Sequence, residues 1–191
     1  MKSFYTFITY IFNPLLVAPY SFGLIIYNDL TIISKHLIFI VCILFSNIFP
    51  LITIIYFIRI DRLSSLDAPI REQRVGILAI AAIYYALGFL ILLYFNVSPI
   101  IKGLMFCYAF NTALVWKITM HWKISIHMIG LGGPFIALWF SGFQYPFIMG
   151  IIIILVSISR FMLKAHTASQ IISGTILAMS LAYIQLTFLF L

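Results

Sequence analysis

Seven mostly apolar stretches follow one another along this chain with only short polar breaks between them, over residues 5–27, 36–58, 75–95, 99–120, 125–141, 146–163 and 168–190. A spanning helix needs about 20 such residues, because hydrocarbon offers no partner for a backbone N–H or C=O. The pattern therefore predicts an all-α membrane protein, a bundle of six to seven transmembrane helices. Composition agrees: 8% of residues are charged, against roughly 25% in a soluble domain, and the mean hydropathy is +1.19. Residues 1–191 read as one integral membrane domain, with no tail or linker large enough to fold separately. The first stretch is broken by Asn13-Pro14 and Pro19, which predicts a kink or a re-entrant turn. With no small-residue cleavage site after it, it is not expected to be a signal peptide. The fifth stretch is short and holds Gly130, Gly132, Gly133 and Pro134, which predicts close packing against a neighbour.

Seven crossings would put the N-terminus and the loops at 59–74, 118–124 and 160–167 on one face. Nine of the eleven Lys and Arg residues fall there: Lys2, Arg59, Arg62, Arg71, Arg74, Lys117, Lys123, Arg160 and Lys164, leaving Lys35 and Lys102 opposite. As an orientation signal, this bias puts the basic face in the cytoplasm. Setting Arg71, Arg74, Lys123 and Arg160 aside as anion ligands still leaves five against two. His121, His127 and His166 share that face, and Asp61, Asp67 and Glu72 lie in the 59–74 loop beside its arginines. Cys42 and Cys107 each sit in an apolar run and read as small core hydrophobes. No carboxylate pair, thiolate set or histidine cluster has metal-ligand spacing, so neither a metal nor another cofactor is expected. Membrane lipids are the expected surroundings, and nothing calls for a nucleic-acid partner.

Two basic-plus-histidine pairs stand out on the basic face. Lys123 and His127 are four residues apart at the start of the fifth stretch, with Ser125 between them, where unpaired N–H groups favour an anion. Arg160 and His166 are six apart, too far for one face of a straight helix, so the chain must bend between the last two helices. That bend leaves His166 at the first turn of the final helix. Either pair alone reads more simply as an interfacial anchor or a core histidine. Two of them at two helix starts on one face point to a phosphate site.

Ser159-Arg160, five residues, His166 resembles the third signature of the phosphatidic acid phosphatase type 2 superfamily, Ser-Arg, five residues, His, three residues, Asp. Ile124-Ser125-Ile126-His127 resembles its second signature, Pro-Ser-Gly-His, in the serine and the histidine. The resemblance covers mainly residues 117–175, with a phosphatase-like core over about 59–190, and resembles small bacterial members, which implies a bacterial plasma membrane. It implies His166 as the nucleophile that takes the phosphoryl group, and His127 as the acid that protonates the leaving alcohol. It further implies Arg160 as the clamp on the phosphoryl oxygens, with Lys123 and Ser125 beside it. Gln170 stands where the family has the aspartate that orients the nucleophile; its amide oxygen can accept from the imidazole but brings no charge. The first signature, Lys, six residues, Arg-Pro, is absent, and Arg71 and Arg74 are its nearest replacements.

Two readings follow. One is a metal-independent lipid-phosphate phosphatase or phosphotransferase working through a phosphohistidine, on a prenyl phosphate or a phosphatidate-type lipid. The other is a relative without activity that binds lipid phosphate or serves as a membrane assembly or scaffolding protein. A transporter is disfavoured, since the ionisable residues gather at one interface and no repeat is visible.

Overall fold

The computed structural model describes residues 2–191. Among these, eight helices account for all seven stretches: α1 Lys2–Ile11, α2 Pro14–Asn28, α3 Lys35–Arg59, α4 Arg71–Leu93, α5 Pro99–Thr119, α6 Ile126–Phe140, α7 Pro146–Met162 and α8 Ala168–Phe190. The protein is an all-α membrane bundle. Helices α3, α4, α5 and α8 are each long and apolar enough to cross a bilayer. The α1–α2 pair passes that test as one bent unit, and α6 and α7 are shorter apolar helices of 15 and 17 residues. Outward-facing Phe147, Ile148, Ile151, Ile154 and Ile158 give α7 an exposed apolar stripe. In water such a stripe would be unfavourable, whereas lipid tails cover it without cost.

The first stretch breaks at Asn13-Pro14, with a 44° bend between α1 and α2, whereas Pro19 lies inside α2 without ending it. Asn13 caps α2, its side-chain oxygen accepting from the Leu15 N–H at 3.0 Å, and Pro14 takes the first helical position, where its missing N–H costs nothing. Helix α3 loosens into a π-turn over Leu44–Ile48 just before Pro50. Pro50 has no N–H for the preceding turn, and one wider turn absorbs the defect. Asn47 in that turn donates to the Leu15 carbonyl and ties α3 to the start of α2.

Helix α4 packs along α5, α6 packs along α8, and α2 packs against α6. The α6 glycines have distinct jobs. A methyl group on Gly130 would meet Pro14 of α2 at 2.8 Å, and one on Gly132 would meet Ala178 of α8 at 2.5 Å and the Met179 backbone at 3.0 Å. Two of the four residues thus deliver the predicted close packing directly. Gly133 differs: nothing lies within 4 Å of an added methyl. Between α5 and α8 the only side-chain hydrogen bond among the described residues runs from Gln185 Nε2 to Asn111 Oδ1, at 2.8 Å and buried.

These contacts predict opposite outcomes at adjacent glycines. Gly132→Ala should lower the thermal unfolding temperature in detergent, since overpacking against backbone costs about 1–3 kcal/mol. Gly133→Ala should unfold at the wild-type temperature or slightly above.

Candidate functional site

At one end of the bundle the loops 60–70, 120–125 and 163–167 are stitched together by polar side chains. Arg74, three residues into α4 and 2% exposed, does most of the stitching. Its Nε donates to the Ala68 carbonyl at 2.5 Å, Nη2 to the Asp67 carbonyl at 3.5 Å and Nη1 to the Ile124 carbonyl at 3.4 Å. One guanidinium therefore fixes the 60–70 loop against the segment that leads into α6. The Ala68 backbone is held at φ 42°, a left-handed conformation that costs a non-glycine residue roughly 1–2 kcal/mol.

The predicted bend between the last two helices is a C-terminal cap on α7. Lys164 takes the left-handed conformation, φ 53°. The Lys164 N–H bonds to the Phe161 carbonyl at 2.9 Å, and the Ala165 N–H bonds to the Arg160 carbonyl at 3.1 Å, the pairing of a Schellman motif. The turn folds His166 back over Arg160, whose carbonyl also accepts the His166 N–H at 3.4 Å. Thr167 then caps α8 in a reciprocal box with Gln170.

That box decides the tautomer of His166. Gln170 Oε1 accepts the Thr167 backbone N–H at 3.2 Å, so this atom is the amide oxygen. The same oxygen lies 3.0 Å from His166 Nδ1. An oxygen cannot donate here, so Nδ1 carries the proton and Nε2 keeps its lone pair. Burial and then the Arg74 guanidinium push the His166 pKa down to about 3, with Arg160 and Lys123 adding to the effect and the Gln170 hydrogen bond opposing it. His166 is therefore a neutral imidazole at neutral pH.

Arg160 is 3% exposed and donates from Nη1 to Asp67 Oδ2 at 3.2 Å. Asp67 is absent from the residues that the sequence motifs single out. The two are 93 positions apart, and only the Arg74-held loop brings them together. Burial, then Arg74 and Arg160, push the half-buried Lys123 ammonium below its usual range, which places three cations around one spot. His127, at the start of α6, is 5% exposed, and the backbone of Thr9 in α1 lies against its ring. Ser125, the residue before α6, is fully buried, and its N–H bonds to the Gln170 carbonyl at 3.4 Å.

The buried side-chain atoms without a hydrogen-bond partner include Ser125 Oγ, Arg160 Nε, His127 Nε2 and His166 Nε2. Such atoms are rare in native folds because each costs about 1–3 kcal/mol. Here one small region holds four, every one on a residue of the two sequence motifs. Compared with known proteins, the chain matches no protein-family model, no curated protein and no solved structure. The site therefore rests on its own geometry.

A cavity of about 140 Å³ opens inward from this end, with Asp67, Arg74, His127 and His166 lining its polar mouth. Arg71 is not brought in: its guanidinium pairs with Glu72 Oε1 at 2.7 Å and donates to the Met120 carbonyl at 2.9 Å. Arg74 reaches the cavity, but it spends its hydrogen bonds on backbone carbonyls. Of these two arginines, one braces a neighbouring loop and the other holds the site together.

Asp67 places a carboxylate where an incoming oxyanion would meet Arg160. Asp67→Asn should tighten binding of inorganic phosphate several-fold, measured by calorimetry on the purified protein; unchanged affinity would mean that the carboxylate does not compete. The low pKa of His166 has its own consequence. An unfolded chain takes up the His166 proton near 6.5, the folded protein only near 3. Stability should fall as pH drops from about 6.5 towards 3, and thermal melts of His166→Ala should show a shallower decline over that window.

Proposed function

We propose that the protein is a lipid-phosphate phosphatase or phosphotransferase of the phosphatidic acid phosphatase type 2 kind, acting through a phosphohistidine. The observation that carries this reading is the buried His166: Nδ1–H is committed to Gln170, and the Nε2 lone pair is unpartnered beside Arg160 and the cavity. Phosphoryl transfer asks a protein mainly for positioning and charge neutralisation, and Arg160, Lys123 and Ser125 supply cations and a hydroxyl donor.

In the proposed reaction, His166 Nε2 attacks phosphorus and forms the N–P bond. The bond from phosphorus to the lipid oxygen breaks, its electron pair stays on that oxygen, and His127 passes to it the proton that the entering phosphate monoanion gives up, which makes the free alcohol. Water then adds to the phosphohistidine, its proton returns to His127, and phosphate leaves with the N–P electron pair restored to Nε2. As positive charge builds on the ring, the Gln170 oxygen supports it through the Nδ1 hydrogen bond.

A second reading has its own support. The neutral Gln170 stabilises an imidazolium less than a carboxylate would, and Asp67 already occupies Arg160. Both features suit a protein that binds a lipid phosphate and does not turn it over.

Phosphate release from a panel of prenyl, alkyl and diacyl phosphates by purified protein separates the two. Turnover should vanish in His166→Ala. Gln170→Leu should lower it roughly tenfold to a hundredfold, the value of an orienting hydrogen bond of about 1–3 kcal/mol. Gln170→Glu should match or exceed wild type, because glutamate keeps the capping box and adds charge behind the ring. Phosphate binding without release from any substrate would leave the binding reading alone.

A further inference from the structure

The cavity behind the histidines is longer than a phosphate group requires. Its wall follows one face of α4 from Arg74 through Ile77, Leu78 and Ala81 to Tyr85, eleven residues or roughly 16 Å of helix. Below the mouth this wall is almost wholly apolar. Across the cavity, Gly133 of α6 is buried and lines the same space, and an added methyl there would meet nothing within 4 Å. The missing side chain of Gly133 is thus part of the cavity volume, whereas its neighbours Gly130 and Gly132 are filled by other helices.

The volume of about 140 Å³ is roughly ten times what one water molecule needs. At water's share of roughly 30 Å³ per molecule, that space holds about ten methylene groups in all, one chain of decyl length rather than two long acyl chains. The lining is mostly apolar, with Tyr85, Tyr108, Asn111 and Thr112 as inner polar groups and the charged side chains confined to the mouth, which matches a ligand with an anionic head and one hydrocarbon tail. We infer that the cavity holds the single chain of a monoalkyl- or prenyl-type phosphate, that Ala81 and Gly133 set its depth and width, and that diacyl phosphates are poor ligands. The inference rests on the phosphate reading of the His166 end and narrows it to one class of lipid.

The test uses protein in lipid nanodiscs and three probes: ethyl phosphate, decyl phosphate and a dipalmitoyl phosphatidate. Equilibrium binding and phosphate release are measured for each, in wild type and in Gly133→Leu and Ala81→Phe. Decyl phosphate should bind wild type about tenfold or more tightly than either other probe, since burying methylenes is strongly favourable. Both variants should drop decyl phosphate to the level of ethyl phosphate and leave ethyl phosphate unchanged, which also shows that the head site is folded. Equal binding of decyl phosphate and phosphatidate to wild type overturns the inference, as does a variant that folds and keeps the decyl preference. Chain discrimination without release from any probe leaves the chain pocket and removes catalysis. Release from all three without discrimination leaves the phosphatase and removes the pocket. No binding of any probe overturns both.

Discussion

A guanidinium sealed into the end of an apolar bundle must have its donors answered, and the end of the bundle that carries the candidate site is organised around that requirement. Arg74 is almost fully buried, and its donors are met by three backbone carbonyls from two different loops. Leaving even one such donor unmet in a low-dielectric setting costs as much as a typical point mutation. The 60–70 loop accordingly accepts left-handed backbone at Ala68 to deliver two of those carbonyls. Everything else at the mouth follows from the loop being held there. Asp67 reaches Arg160 because its own carbonyl is pinned by Arg74, and Ile124 is drawn in just ahead of Ser125 and His127.

The second organising element is the turn after α7. A left-handed Lys164 reverses the chain so sharply that the Arg160 carbonyl accepts the N–H groups of both Ala165 and His166, six positions on. Thr167 and Gln170 then start α8 with a capping box, and the same glutamine oxygen that closes the box selects the proton position on His166. Helix capping and imidazole orientation are a single hydrogen-bond arrangement. This explains how a glutamine serves at a position where charge is absent: the local fold needs an acceptor at that point whether or not chemistry does. The outcome is a neutral ring with one nitrogen committed and the other turned to a site crowded with cations.

The cavity adds a different kind of constraint. Helix α6 approaches α2 and α8 closely through Gly130 and Gly132, and this tight packing on two sides holds the helix away from α4 at Gly133. Two glycines remove space and the third creates it.

Much of this was legible in the residues alone. The all-α membrane class and the seven apolar stretches follow from hydropathy, because the bilayer permits so few solutions. The break at Asn13-Pro14 and the bend ahead of His166 follow from local rules about proline and helical periodicity. His127, His166, Arg160 and Ser125 stood out by spacing as candidates, and Gln170 entered only through the resemblance, as the residue where that family has its aspartate. What sequence could not separate was Arg71 from Arg74, since both lie in the same basic loop and helix start; only packing sends one to Glu72 and the other into the interior. Nor could it find Asp67, whose partner lies 93 positions away, or distinguish Gly133 from its neighbours. The sequence by itself determined the membrane fold class and named the candidate residues, because those depend on periodicity and local patterns. The tertiary structure alone decided which arginine lines the cavity, which carboxylate pairs with Arg160 and where the empty space lies, because each depends on long-range contacts that no local pattern encodes.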